Sequence, residues 1–546
     1  MREIDRLTSE QYSTPSLLLM EAAAASAVRA IAARCSHDLA GRHALILCGR
    51  GNNGGDGAAV ARALWRLGAQ VRVALLGRVE EAKGDARINF EIVRRLAEPA
   101  KGMTPAALSF KECDSAEDWE MVIQDRARAD LVVDALLGTG VTRPVEGLYG
   151  AAVDHLLRLR AERDRANESG PLIVSLDLPS GLDADAAEPI GACVRADLTI
   201  TFTAPKPANV LPPAAHFNGE LIIADIGSPP TLLDATDSKL FLTEANDARA
   251  WLAATRYAPD SYKNTHGHAL IIAGSRHLTG AAALTAAAAM RAGAGLVTLA
   301  APASALASIT ARLMPEVMTA ALAETDDGAI SEAALDQAQR LAGRATVIAL
   351  GPGMTSSDES TRRFVRALVE QRTAPTIIDA DGLNALAPWP ASLRGARARP
   401  LVLTPHPGEM LRLMGTDDRA ALADRVGAAR AFATAHQVVL VLKGERTLIA
   451  DPDGRVFINP TGNAGLGTAG AGDTLTGLIT GFCAQAFGSL KERADVVQAT
   501  LAAVYAGGLA GDLAARSFGM RAMVASDVRE HFSAALRALD PGGEQP

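Results

Sequence analysis

The amino-acid sequence predicts an α/β protein of two domains, each built on a parallel β-sheet, and three observations carry that reading. At 546 residues the chain exceeds the roughly 250–300 residues at which a single hydrophobic core stops growing. In both halves, short apolar runs alternate with helix-like stretches, the spacing of strand–helix–strand units in a parallel sheet. The alternation breaks at Gly227-Ser228-Pro229-Pro230, and the polar stretch rich in Asp, Thr and Ala that follows reads as a linker. The expected domains cover residues 1–232 and 240–540.

Hydrophobic residues make up 48% of the chain and charged residues 21%, so each half can bury a core of its own. The formal net charge of -8 is mild, and no Lys/Arg cluster is interleaved with aromatics. Neither nucleic acid nor an anionic membrane surface is therefore expected as a partner. Cys35, Cys48, Cys113, Cys193 and Cys483 lack metal-ligand or disulfide-framework spacing and read as core residues in a reducing compartment. Acidic residues precede the short apolar stretch near the N-terminus, and no uninterrupted run approaches the ~18 apolar residues of a membrane span. The expectation is a cytoplasmic protein, with Ala-rich helices and few aromatics suiting a homo-oligomer, and with a polar tail, DPGGEQP, that frays.

In the first half, ALILC, VRVALL, LVVDALL, LIVSLD, LTITF and LIIADI read as strands. The first runs into Gly49-Arg50-Gly51-Asn52-Asn53-Gly54-Gly55-Asp56-Gly57 and then the helix-like AAVARALWRLG. A glycine-rich loop placed between a strand and a helix N-terminus lets backbone N–H groups approach an anion, and the helix dipole adds partial positive charge. A tight turn also uses glycines, but it does not require the paired Asn and the Asp, and the loop is not the dinucleotide GxGxxG pattern. Two more strand ends carry polar groups: Asp134-Ala135-Leu136-Leu137-Gly138-Thr139-Gly140-Val141-Thr142-Arg143-Pro144 and Asp177-Leu178-Pro179-Ser180-Gly181-Leu182-Asp183. One such carboxylate could be a helix cap. Three such ends in one parallel sheet converge on one edge, where ligands bind.

In the second half HALIIAG, GLVTLA, TVIALG, PTIIDA, LVLTP and VVLVLKG repeat the alternation, before an Ala-rich helical tail. The most specific stretch is NPTGNAGLGTAGAGDTLTG, residues 459–477, a small-residue loop opening an apolar helix. Its Gly470-Ala471-Gly472-Asp473 looks like the ribokinase-type anion hole, in which backbone amides neutralise a transferring phosphoryl group and the Asp takes a hydroxyl proton. Three further strand ends support a nucleotide and a hydroxylated substrate: Gly351-Pro352-Gly353, Thr404-Pro405-His406-Pro407-Gly408-Glu409, and Lys443-Gly444-Glu445-Arg446-Thr447. A lone histidine is more often a core or surface residue, but the flanking prolines restrict the chain around His406, which reads as substrate-facing. Lys443, between an apolar strand and a glycine, reads as a phosphate contact rather than a solvated charge. Asp379 and Asp381 in IIDADGLNAL fit a hairpin or helix cap as readily as a site.

These motifs resemble the bifunctional NAD(P)H-hydrate repair enzyme family. Its N-terminal domain has the same GNNGGDG, VDALLGTG and D-x-PSGLDAD order, matching from Ile4 to about Ile226, and its C-terminal dehydratase matches from about Arg256 to Arg537. The resemblance implies a Rossmann-like first domain with helices on both faces of its sheet, and a ribokinase-like second domain. It further implies an epimerase that interconverts R and S NADHX or NADPHX at C6 of the nicotinamide ring, and a dehydratase that removes water from the S hydrate while ADP becomes AMP and phosphate. Carried over by motif, Asn52, Asn53, Gly54, Gly55 and Asp56 with Gly138 to Pro144 would hold the hydrate, and Asn53, Asp134 and Ser180 would ligate K+. Asp177 would face the reacting carbon. Ala281, Gly353, His406 and Asp473 would contact the hydrate in the second domain, where Lys443, Gly444, Glu445, Arg446, Thr447 and Gly472 would contact the nucleotide and Mg2+ would accompany its phosphates. The opening REIDRLTSEQYSTPSLLLMEAA resembles the family's N-terminal helix and reads equally as a packing helix. One departure is Tyr262-Lys263-Asn264-Thr265-His266-Gly267, where family members commonly read His-Lys-Gly.

The GAGD loop alone also fits a small-alcohol kinase fused to a ligand-binding domain, against which the first half's three motifs argue. A non-catalytic scaffold would not need Asp134 and Asp177, and an ordinary NAD oxidoreductase would carry GxGxxG.

Overall fold

The computed structural model describes residues 1–98, 107–124, 129–166, 170–540 and 542; of the polar tail, residues 541 and 543–546 lie outside these. The chain forms two compact units, Met1–Asp237 and Ser238–Pro546.

The first unit carries a seven-stranded sheet among the described residues. Its strands are β1 (His43–Cys48), β2 (Gln70–Leu76), β3 (Leu108–Cys113), β4 (Leu131–Ala135), β5 (Leu172–Leu176), β6 (Leu198–Phe202) and β7 (Glu220–Ala224), all parallel in the order β3-β2-β1-β4-β5-β6-β7. Alternate residues of each strand face opposite sides. Ile46 and Val133 pack with Ala27 and Ile31 of α2 (Ser16–Arg34) and Leu64 of α3 (Asn52–Arg66). Leu45, Leu47 and Val132 pack on the other face with Trp119, Ala152 and Leu156. Helices thus cover both faces, which is why β1 reads as the unbroken apolar run ALILC. Strand β3 has no such signature in the sequence: it is an edge strand, and Ser109, Lys111 and Glu112 break its apolar character.

The second unit carries a ten-stranded sheet: β8 (Leu240–Leu242), β9 (His268–Ile272), β10 (Leu296–Pro302), β11 (Met318–Leu322), β12 (Val347–Leu350), β13 (Thr376–Ile378), β14 (Leu401–Leu403), β15 (Val439–Leu442), β16 (Leu448–Ala450) and β17 (Val456–Ile458). The order is β11-β10-β9-β12-β13-β14-β15-β16-β17-β8, parallel as far as β15 and antiparallel at both edges of β16. The polar stretch read as a linker is more ordered than its composition suggests. Its β8 pairs with β17, and the helix Ala245–Ala254 buries Trp251 in a stack with Phe482, ring centroids 3.9 Å apart. One large aromatic anchors an otherwise polar segment.

Helices Ser16–Arg34 and Val496–Phe518 are long and apolar enough to cross a membrane; charged residues such as Glu21 and Asp512 keep their apolar runs short in the sequence. Both contribute to the cores of their units, through Ala27 and Ile31 in one and Ala503 and Ala510 in the other.

Helix Ala471–Gln485, which opens at the GAGD loop, crosses helix Thr279–Arg291 at close range. A Cβ on Gly477 would stand 2.3 Å from the Thr285 carbonyl oxygen and 2.6 Å from Ala288 Cβ. Gly477→Ala should therefore cost about 2 kcal/mol or more, an overpacking penalty against backbone that cannot retreat, read as a lower denaturant midpoint for the second unit.

Candidate active sites

The order of the first sheet reverses between β1 and β4, and a crevice opens at the carboxyl ends of the strands there. It holds a cavity of 640 Å³ lined by Asn52, Asn53, Asp56, Leu136 to Val141, Asp177 and Lys206, with Arg2 and Asp5 contributed by α1 (Arg2–Tyr12). Gly54 and Gly55 are buried within the first turns of α3, for a packing reason: a Cβ on Gly54 would stand 1.7 Å from the Gly49 carbonyl oxygen, and one on Gly55 2.7 Å from Ala86 Cα. Thr142, Arg143 and Pro144 are not among the residues lining this cavity.

Asp134, fully buried at the end of β4, accepts hydrogen bonds from Ser180 Oγ at 2.6 Å, Ser175 Oγ at 2.8 Å, the Ser180 amide at 2.9 Å and the Leu136 amide at 3.3 Å. Burial pushes its carboxyl above the ordinary value, and these four donors oppose that. Asn53 Nδ2 donates to the Leu137 carbonyl at 3.0 Å, and Ser180 Oγ lies 3.3 Å from the same oxygen. Asn53 Oδ1 is buried with no hydrogen-bond partner. An orphaned amide oxygen beside a carboxylate, a hydroxyl and a carbonyl is an all-oxygen donor set that fits a hard cation such as K+.

Asp177, just past β5, has φ = 64°, a left-handed conformation that Asp tolerates better than most residues. Its Oδ1 accepts short hydrogen bonds from Lys206 Nζ and, at 3.2 Å, from Thr201 Oγ1. Lys206 is 5% exposed and also donates to Thr201 Oγ1 at 2.8 Å and the Phe202 carbonyl at 3.1 Å. The sequence reading missed it. The signal was present in TAPKP, a lysine between two prolines beyond a buried strand, the same pattern that marked His406.

In the second unit a cavity of 890 Å³ is lined by His406, Lys443 to Thr447, Asn459 to Ala464, Ala471, Gly472 and Thr474. Asp473, Gly353 and Ala281 are not among its lining residues; Gly353 and Ala281 are neighbours of each other, a Cβ on Gly353 standing 3.0 Å from Ala281 Cβ. His406 is the N-cap of helix Pro407–Met414, its Nδ1 accepting from the Gly408 amide at 3.0 Å, while about half of its side chain stays exposed. Tyr262 to Gly267 forms a tight turn over Lys263–His266 that packs on Gly295, with Lys263 exposed and off the cavity.

Two family models match the chain: one described as YjeF-related protein N-terminus over residues 16–208, and one described as NAD(P)H-hydrate dehydratase over residues 269–533. A bifunctional NAD(P)H-hydrate repair enzyme of Moorella thermoacetica is 42% identical over 99% of this chain and 96% of its own length. The chain belongs to the bifunctional NAD(P)H-hydrate repair enzyme family. The corresponding enzyme of Escherichia coli is 33% identical over 92% of this chain and 85% of its own length. A crystal structure of ADP/ATP-dependent NAD(P)H-hydrate dehydratase from Bacillus subtilis aligns at 30% identity with a TM-score of 0.46, covering 55% of this chain and 99% of that one. The first unit is the epimerase half of the repair enzyme and the second its dehydratase half.

In the dehydratase half, Asp379 acquires a place that its sequence context left open. It is 1% exposed at the end of β13, where its Oδ1 accepts from Lys443 Nζ at 2.8 Å and its Oδ2 from Thr476 Oγ1 at 2.7 Å. Lys443 lies 3.8 Å from Glu409 as well, and Gly472 stands beside the pair, its Cβ position 3.4 Å from Lys443 Nζ. Burial works against the Lys443 ammonium, but Asp379 and Glu409 outweigh it and hold its pKa above that of an ordinary lysine. The Asp473 pKa is raised as well, which for a carboxylate favours the neutral form: burial first, then the charge of Asp379, pushes it up to about 6.

Removing one partner of a buried ion pair strands the other. Lys443→Met should destabilise the dehydratase half by about 3 kcal/mol, and Lys443→Met with Asp379→Leu should recover much of that loss, both read by chemical denaturation.

Proposed function

We propose that the two cavities are the two active sites of NAD(P)H-hydrate repair, and that the observation carrying this reading is the pairing, at strand ends of each sheet, of a carboxylate with a lysine largely withdrawn from water. In the epimerase cavity Asp177 faces C6 of the hydrate and moves the proton needed to lose and regain water at that carbon. Lys206 keeps the Asp177 carboxylate oriented and balances its charge. Asn52, Asn53, Asp56 and the Gly138 to Val141 segment hold the hydrate, which Asn53, Asp134 and Ser180 would complement by holding K+; that ion, when bound, would supply fixed positive charge beside an anionic substrate.

In the dehydratase half, Asp473 takes the proton of the C6 hydroxyl, whose oxygen attacks the β-phosphorus of ADP. AMP departs, phosphate then leaves C6 as the ring-nitrogen lone pair forms the C=N+ bond, and loss of a proton from C5 gives the C5=C6 double bond of NAD(P)H. Lys443 meets the phosphates, and the Gly472 amide at the start of an apolar helix adds donors for the charge that develops on the transferring group. Glu445, Arg446 and Thr447 line the rest of the nucleotide cavity, while His406, Gly353 and Ala281 border the hydrate. Mg2+, when bound, would neutralise phosphate charge, held chiefly by the phosphate oxygens and water.

Recovery of the reduced-nicotinamide absorbance from an R/S hydrate mixture, with ADP, with ATP and with neither, tests the reading. Full recovery is expected with ADP, recovery of the S fraction alone from Asp177→Asn, and no recovery from Asp473→Asn, in which epimerisation of the hydrates persists by chromatography. A folded single variant that loses both activities would overturn the division of labour. The pH profile is a separate check. A base must be deprotonated to act, so kcat/KM for dehydration should fall as pH drops through about 6, the value to which Asp473 is raised. Asp379→Asn removes a neighbouring negative charge and should move that limb to lower pH.

A further inference from the structure

Loss and return of water at C6 have a chemical requirement that Asp177 alone does not meet. Hydroxide is a poor leaving group and needs a proton as the C6–O bond breaks; the lone pair of the ring nitrogen then forms the C=N+ bond. Inversion further requires water to add from the opposite face and to surrender a proton there. Two acid–base groups, one for each face of the ring, satisfy both demands.

The cavity holds a second candidate from an unexpected element. Helix α1 is pinned on its inner side by Ile4 and Thr8, both buried, with Thr8 Oγ1 donating to the Ile4 carbonyl at 2.7 Å. Its start is tied to the substrate loop, where Arg2 Nη2 reaches the Thr139 carbonyl at 3.4 Å, and its end to Thr231, whose hydroxyl lies 3.0 Å from that of Tyr12. Held in this way, the helix presents Asp5 to the cavity that Asp56, Asp177 and Lys206 also line. Asp5 Oδ1 is buried and has no hydrogen-bond partner. A carboxyl oxygen sequestered without a donor is costly, and a hydroxyl of a bound substrate would satisfy it.

Resting on the assignment of this cavity to epimerisation, we propose that Asp5 is a second catalytic residue of the epimerase, the acid–base group that serves the face of the nicotinamide ring away from Asp177. Asp5 gives its proton to the departing C6 hydroxyl, which leaves as water. The water that adds on the Asp177 side loses its proton to that carboxylate, and the reverse direction exchanges the two roles; exchange with solvent water then returns Asp177 to the carboxylate and Asp5 to the acid, so each cycle conserves atoms and charge and restores the enzyme. Burial raises the Asp5 pKa, the N-terminal ammonium and Lys206 oppose that shift, and Asp177 adds to it. Asp56 is raised well above the ordinary carboxylate range by burial and by the same two aspartates, so Lys206 faces more negative groups than it can neutralise.

The test is steady-state epimerisation of the R hydrate by the full chain, followed by chromatography, with dehydration of the S hydrate in the same preparation as a control for folding. Asp5→Asn is expected to lower the epimerase kcat by 100-fold or more, the usual reach of a general acid or base, with KM for the hydrate within about two-fold and dehydration unchanged; Asp5→Glu, which keeps the carboxyl, should restore much of the loss. Wild-type kcat in Asp5→Asn overturns the proposal. So does a rise in KM without a fall in kcat, or a loss that Asp5→Glu does not relieve, since either would mark Asp5 as a packing or positioning group. Asp177→Asn is run alongside: if it too epimerises normally, the site assignment itself fails, whereas its inactivation beside a fully active Asp5→Asn removes only the role of Asp5.

Discussion

A parallel sheet covered by helices on both faces leaves its strand ends as the place where polar groups can gather without breaking a core, and both halves of this repair enzyme are organised by that constraint. In the first sheet, Gly49, Leu136, Asp177 and Thr203 each follow a strand directly, and the chain segments they begin form the walls of one cavity. In the second, Gly351, Asp379, Thr404 and Lys443 stand in the same relation to their strands. The apolar runs do more than fill the interior. They deliver a carboxylate or a lysine to a defined height at the rim, where it is largely withdrawn from water.

Withdrawal from water gives these groups their chemistry. Each half sets one lysine among several carboxyls: Lys206 beside Asp177 in one, Lys443 beside Asp379 and Glu409 in the other. Burial, and then the negative charge that a single ammonium leaves uncompensated, push some of these acids toward the protonated form, as the upward shifts of Asp5, Asp56 and Asp473 record. The lysines differ in their remaining partners. Lys206 spends its other hydrogen bonds on a threonine and a backbone carbonyl and is almost fully withdrawn from water, whereas Lys443 lines the open cavity of the second unit. Asp379 joins Lys443 to Thr476 on the helix that begins with the GAGD loop, so one buried carboxylate ties the end of β15 to that helix.

Glycine carries a different meaning in the two halves than its frequency in the motifs suggests. The glycines of GNNGGDG invite a reading as amide donors to an anion. Gly54 and Gly55 are dictated instead by the approach of α3 to the chain around Gly49 and Ala86, where no side chain fits. The paired asparagines and the aspartate of the same motif are the members that line the cavity.

The sequence by itself determined the α/β class, the division into two halves and most strands, because an apolar run bounded by turn residues is a local signal that survives without knowledge of its neighbours. It also marked Asp134, Asp177, Lys443 and the GAGD loop, since a charge or a glycine cluster directly after such a run stands out in one dimension. Edge strands such as β3 and the short β8, β16 and β17 escaped, their periods being too short or too polar to register. Only the tertiary structure decided which polar groups meet. Asp5 lies 172 residues before Asp177 in the chain, Asp379 lies 64 before Lys443, and nothing in the residues around them announces those encounters. Burial and pairing arise when distant segments fold against one another, and the same contact that places a carboxyl also decides whether it holds a proton.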